Sequence, residues 1–123
     1  MIIDHIGLGV SDFEKSKEFY IKCLEPLGIK LMREEGNTVG FGKNNKAPFW
    51  FGPSSEPAMR VHIAFAAESR AQVDEFYKAA IAAGGKDNGP PGIREIYHPN
   101  YYGAFVLDPD GNNIEAVCHN PES

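Results

Sequence analysis

Two histidines stand at matching places in the two halves of this chain. His5 lies in Asp4-His5-Ile6-Gly7-Leu8 and His62 in Val61-His62-Ile63-Ala64-Phe65. The same offset of 57 positions also separates Phe19 from Phe76, Tyr20 from Tyr77 and Gly28 from Gly85, and a fixed period marks a repeated structural unit. Strand side chains alternate between faces. A strand through the first segment therefore puts Ile6, Leu8 and Val10 on one face and His5, Gly7 and Gly9 on the other. Its counterpart puts Val61, Ile63 and Phe65 opposite His62, Ala64 and Ala66. Each imidazole shares its face only with Gly or Ala, which leaves the open space a ligand cavity needs. In the last strand Ile114, Ala116 and Cys118 take the apolar side, leaving Asn113, Glu115 and Val117 on the cavity side. His5, His62 and Glu115 together make two neutral imidazoles and one carboxylate. That is a divalent-metal set with open coordination positions, suited to Fe(II), Mn(II), Zn(II) or Ni(II).

The elements that position these residues can be read from pattern. Residues 2–9 are short, apolar and β-branched and predict a strand. Ser11-Asp12-Phe13-Glu14 fits a capping box, and Phe13, Tyr20, Leu24 and Leu27 predict an amphipathic helix over 12–25, stopped by Gly28. Strands follow near 29–34, 37–42 and 48–52. The second unit repeats the order: a strand at 60–66, a cap at Ser69-Arg70-Ala71-Gln72, and a helix carrying Val73, Phe76, Tyr77, Ala80 and Ile81, ended by Gly84-Gly85. Residues 86–100 are rich in Gly and Pro and predict an irregular strand and a loop. A hairpin of strands at 102–107 and 112–118 turns at Asp108-Pro109-Asp110-Gly111. Each half is thus βαβββ. A module of ~55–60 residues is marginal alone, so module one (1–52), a linker (53–58) and module two (59–119) are expected to form one domain over 1–123.

Composition narrows the function classes. Of 123 residues 42% are apolar and 24% charged, as in an ordinary soluble domain. The net charge of −5 argues against a nucleic-acid partner, which calls for a basic stripe. No apolar run approaches the roughly 18 residues of a membrane span. The start Met1-Ile2-Ile3-Asp4-His5 lacks the basic and apolar regions of a secretory signal. Cys23 and Cys118 lack metal-motif spacing and read as reduced, buried thiols, so the expected compartment is the cytoplasm.

With these residues in place, the chain resembles the vicinal oxygen chelate superfamily, also called the glyoxalase/bleomycin-resistance/dioxygenase superfamily. The resemblance rests on Asp4-His5-Ile6, on Val61-His62-Ile63-Ala64-Phe65, and most specifically on the run Tyr102-Gly103-Ala104-Phe105-Val106-Leu107-Asp108-Pro109-Asp110-Gly111-Asn112-Asn113-Ile114-Glu115-Ala116-Val117. It implies an α+β fold of two βαβββ modules whose curled mixed sheets surround a metal-holding cavity. It also implies ligands from the first and last strand of each module: His5, a position in the fourth strand, His62 and Glu115. Aligning Phe49-Trp50-Phe51 with Ile114-Glu115-Ala116 puts Trp50, which cannot bind a metal there, at the fourth-strand position. The second carboxylate of glyoxalase I-type isomerases is missing, which speaks against classical glyoxalase I activity. The three-ligand set looks more like that of extradiol dioxygenases and fosfomycin-modifying thiol transferases.

The loop Ile93 to Tyr102 is both polar and aromatic and reads as a rim over the cavity. His98 and Tyr102 are the candidate acids, bases or substrate contacts, Arg94 a further substrate contact, and Trp50 a stacking wall. The expected function is a divalent-metal-dependent lyase, isomerase or dioxygenase-type enzyme acting on a small oxygenated substrate. The expected assembly is a homodimer, and the site can be completed within one chain or between two. The alternative is a metal-free, bleomycin-resistance-like protein that sequesters a ligand without turnover.

Overall fold

The computed structural model describes residues 3–121. Ile2, where the pattern starts its first strand, lies outside the described residues. Eight strands and two helices follow in the order β1 (Ile6–Val10), α1 (Phe13–Leu24), β2 (Lys30–Glu35), β3 (Thr38–Lys43), β4 (Lys46–Pro53), β5 (His62–Ala66), α2 (Arg70–Ala82), β6 (Lys86–Ile93), β7 (Tyr102–Leu107) and β8 (Asn113–Cys118). They form two four-stranded sheets of the same order, β1-β4-β3-β2 and β5-β8-β7-β6. In each, the strand that enters the helix pairs in parallel with the last strand of its unit, and the other pairings are antiparallel. The architecture is α+β, two βαβββ modules with open mixed sheets.

The first helix starts one residue later than the capping box suggests. Asp12 is the N-cap, extended at φ −127° and ψ 97°, and its carboxylate accepts the Lys15 N–H at 3.1 Å. Ser11 faces module two instead, where its N–H donates to Asp110 Oδ2 at 3.2 Å and its hydroxyl to Asp110 Oδ1. A carboxylate caps as well as a hydroxyl, so the competing acceptor on Asp110 decides which residue does it. In α2 the expected Ser69 caps, accepting the Gln72 N–H at 3.2 Å, while the Gln72 side chain receives the Glu68 N–H at 2.7 Å. A short 3₁₀ turn (Glu25–Leu27) follows α1 before Gly28 ends it with φ +78°, a left-handed conformation that glycine adopts without penalty.

The helices pack against each other, and one apolar cluster runs through both modules. Phe19, Tyr20, Phe41, Phe49 and Phe51 supply the aromatic part of it, and Val73, Phe76, Val106 and Ile114 continue it into module two. Burying each such side chain contributes roughly 1.5–3 kcal/mol, so the shared core holds the halves together. Polar contacts add to this. The Tyr20 hydroxyl donates to Asp108 Oδ2 at 2.5 Å across the module boundary. Fully buried Asn112 accepts the Val61 N–H at 3.1 Å and donates to Ala58 O at 3.3 Å. Asn112 therefore ties down the segment that leads into His62.

Candidate functional site

Register gives the site its faces. In the second sheet His62 pairs with Asn113, Ala64 with Glu115, and Phe105 with Glu115. These residues share the sheet face away from α2, as alternation requires. The opposite face, with Ile63, Phe65, Ile114 and Ala116, joins the core or packs against it. The exposure expected beside His62 is present, since Ala64 and Ala66 are exposed.

Glu115 is the centre of this face. It is 1% exposed and carries hydrogen bonds on both oxygens. His62 Nε2 lies 2.8 Å from Oε1, and the Tyr101 hydroxyl donates to Oε2. On the other side of the imidazole, Asn113 Nδ2 lies 2.8 Å from His62 Nδ1, and Asn113 Oδ1 accepts from Asn88 at 3.2 Å. The ring edge of His62 also meets Phe105, with centroids 6.1 Å apart. Both ends of the His–Glu pair are thus held by neutral partners, which fixes the orientation of the ring and of the carboxylate.

Tyr102 lies elsewhere. It pairs in register with Cys118 on the helix side, donates its hydroxyl to Asp74 at 2.6 Å, and lies beneath the Arg70 guanidinium, 5.2 Å from its ring centre. Desolvation, with the Asp74 hydrogen bond, pushes its phenol up to about 12. The candidate role on the cavity face therefore passes from Tyr102 to its neighbour Tyr101. The same alternation that placed Glu115, applied to β7, puts Phe105 and Gly103 inward and Tyr102 outward. Desolvation and the Glu115 contact also raise the Tyr101 phenol well above its ordinary value, so it stays a proton donor. His98 is on the rim rather than at the pair. It stacks on His119, with Nε2 2.6 Å from His119 Nδ1, and its ring meets Tyr101 edge-on at 5.5 Å. His119 is thereby part of an aromatic cluster with His98 and Tyr101.

In module one, Gly7 and Gly40 pair with Trp50 just as Ala64 and Phe105 pair with Glu115. Trp50 is therefore the positional counterpart of Glu115, as the internal alignment expected. Its ring lies over Gly40, where an added Cβ would come within 2.6 Å, and its indole N–H donates to Ala47 O. His5 sits just before β1, well exposed, with Nδ1 2.7 Å from Asp4 Oδ1. That hydrogen bond, with the attraction of the His5 ring charge, holds the Asp4 carboxyl below its usual value.

A cleft of about 420 Å³ runs between the edges of the two sheets. His5, Ile6 and Phe49 line one side, and His62, Ala64 and Phe65 the other. The structure thus brings His5 and His62 to one cleft and binds His62 to Glu115. Among the described residues no three His, Cys, Asp or Glu side chains converge closely enough to hold a metal ion, and the His5 ring is turned to Asp4. Cys23 and Cys118 are buried and unpaired, and burial raises the Cys23 thiol. No helix of the described residues is long and apolar enough to cross a membrane.

Known proteins share this architecture. A crystal structure of a glyoxalase/bleomycin resistance protein from Albidiferax ferrireducens T118 is 33% identical, with 96% of this chain and 99% of that one covered and a TM-score of 0.85. The uncharacterized protein YqjT of Bacillus subtilis is 30% identical over 93% of this chain and 96% of its own length. A putative glyoxalase from Bacillus halodurans, 23% identical over 95% of each chain, has the same fold at a TM-score of 0.71. The family model described as Glyoxalase/Bleomycin resistance protein/Dioxygenase superfamily matches residues 2–116. Two repeated modules, matching sheets and this match across the chain lead to one conclusion: the protein belongs to the glyoxalase/bleomycin resistance protein/dioxygenase superfamily.

Proposed function

We propose that the protein is a divalent-metal-dependent enzyme acting on a small oxygenated substrate, with His62, Glu115 and His5 as its metal ligands. The observation that carries this reading is the buried Glu115 carboxylate bonded to His62 in the cleft that His5 also lines. The donor set fits a divalent cation. Imidazole and carboxylate suit Fe(II), Mn(II), Zn(II) or Ni(II), and each of the two bonded donors has the outer partner that orients metal ligands. Asn113 serves His62 with or without a metal, because its amide offers Nδ1 either a donor or an acceptor. His5 joins the set by leaving Asp4 and turning into the cleft, in its own chain or from a partner copy in a homodimer.

A divalent cation bound here would act as a Lewis acid on a substrate oxygen. The chain's own residues do the rest. Tyr101 aims the Glu115 carboxylate through its hydroxyl, and Asn113 fixes the plane of His62. Phe49, Phe65 and the alanines of β5 give the substrate an apolar wall. A single carboxylate, with Trp50 in the other equivalent place, supports a three-ligand lyase, isomerase or dioxygenase-type activity over four-ligand glyoxalase I chemistry. The two unpaired cysteines favour the cytoplasm as its compartment.

A second reading, a metal-free ligand-sequestering protein, draws on the direct His62–Glu115 contact, which satisfies both groups without a cation. Elemental analysis of untagged protein purified without chelators separates the two. About one metal per chain, lost in both His5→Ala and Glu115→Ala, is the expected result. An empty wild-type protein after incubation with all four cations would overturn the enzyme reading and leave the sequestering one.

A further inference from the structure

Arg94 is a guanidinium placed over the same face with no acid to neutralise it. It sits at the end of β6, where its backbone N–H donates to Tyr101 O at 2.8 Å, so it begins the loop that Tyr101 closes. Its guanidinium lies over Phe105, 5.4 Å from the ring centre. Phe105 is the register partner of Glu115 and the ring whose edge meets His62. Arg94 therefore belongs to the face that carries the His62–Glu115 pair.

The chain makes room for it. Gly89 and Gly92 both lie in β6, and an added Cβ would come within 3.2 Å of Nη2 at Gly89 and 3.0 Å of Nη1 at Gly92. The Nη2 group donates to Pro90 O at 2.7 Å, which fixes the plane of the fork. Among the described residues no carboxylate pairs with Arg94. An oriented, half-buried and uncompensated guanidinium beside a ligand face is a receptor for an anion, and its planar fork matches a carboxylate.

We propose that Arg94 binds a carboxylate of the substrate, which makes the substrate a small carboxylic acid with its other oxygens directed toward His62 and Glu115. This rests on the reading of the His62–Glu115 face as the reacting site, but the anion contact itself needs no metal. Gly92 is a positioning residue, since a methyl group there displaces Nη1.

The test uses chelator-treated full-length protein and three matched probes: 2-hydroxybenzoate, 2-hydroxybenzamide and phenylphosphonate, followed by calorimetry or by amide shifts. The expected result is that 2-hydroxybenzoate binds at least about tenfold tighter than either other probe, the margin of one charge-assisted hydrogen-bond pair. Arg94→Gln removes that preference, and Gly92→Ala reduces it. Arg94→Lys retains only part of it, which separates recognition by the fork from simple charge. Equal affinity for the amide, or an undiminished preference in Arg94→Gln, would overturn the proposal. Tighter binding of phenylphosphonate would overturn the carboxylate assignment. Metal content is measured in the same variants. Arg94→Gln is expected to keep its metal, so a failed anion test with normal metal content leaves the ligand assignment standing, and the reverse result leaves the anion site standing.

Discussion

Trp50 and Glu115 occupy equivalent places in the two sheets, each opposite the small residue two positions after its module's histidine. One module thus ends its strand pair in a carboxylate and the other in an indole that covers Gly40. The asymmetry is built into a repeat that otherwise keeps one 57-residue offset through the first strand and the helix.

Restoring the missing carboxylate is a direct test of the ligand assignment. Trp50→Glu is expected to slow metal loss to a competing chelator by about tenfold or more, since outer partners alone carry 10–100-fold effects at such sites. An unchanged rate of loss would place position 50 outside the coordination sphere.

Neighbouring tyrosines give opposite results because they lie on opposite faces. Tyr101→Phe strips Glu115 of a donor and is expected to weaken metal binding by roughly tenfold while costing about 1–2 kcal/mol in urea unfolding. Tyr102→Phe removes only the Asp74 contact. It should lower stability by a similar or smaller amount and leave metal content at the wild-type value. Equal metal loss in both would contradict the separation of faces.

Alkali should unfold the protein partly through Tyr102. Its folded phenol titrates near 12, above the ordinary value of about 10, so the folded state holds that proton more tightly. The stabilisation is complete below pH ~10 and is lost as pH rises toward ~12. Urea midpoints followed from pH 9 to 12 are expected to fall, and to fall less steeply in Tyr102→Phe. Identical slopes would remove Tyr102 as a source of the dependence.

Asn112 links folding to the site. Asn112→Ala leaves the Val61 N–H and the Ala58 carbonyl without their buried partner. An expected loss of about 2–3 kcal/mol follows from two such groups, together with weaker metal binding, because the released segment carries His62. Asn112→Asp, which keeps an acceptor for Val61, should recover part of the stability. Recovery of none would show that losing the Nδ2 donor to Ala58 O and Asp108 Oδ2, with a carboxylate left facing Asp108 in its place, dominates.

Much of this was legible in residue order. The 57-residue period and the capping signals gave two βαβββ units, and alternation placed His62, Asn113 and Glu115 on one face. The cap of α1 falls one residue later than the pattern predicts because Ser11 finds its acceptor 99 positions away, on Asp110. The pattern singles out Tyr102 and passes over Tyr101 because its predicted strand begins at 102, so alternation is not carried back one residue to Tyr101. That rule was available in the sequence.

What the sequence determined by itself is local: which segments are strands or helices, and which side chains share a face, since both follow from backbone periodicity within a few residues. Tertiary structure decided the distances. It brought Tyr101 and Asn113 onto the two sides of the His62–Glu115 pair, opened β6 for Arg94, and put His5 across a cleft from His62 with its ring on Asp4. Those relations depend on how two sheets and their loops pack around one core, and packing sums contacts far apart in the chain that no local pattern records.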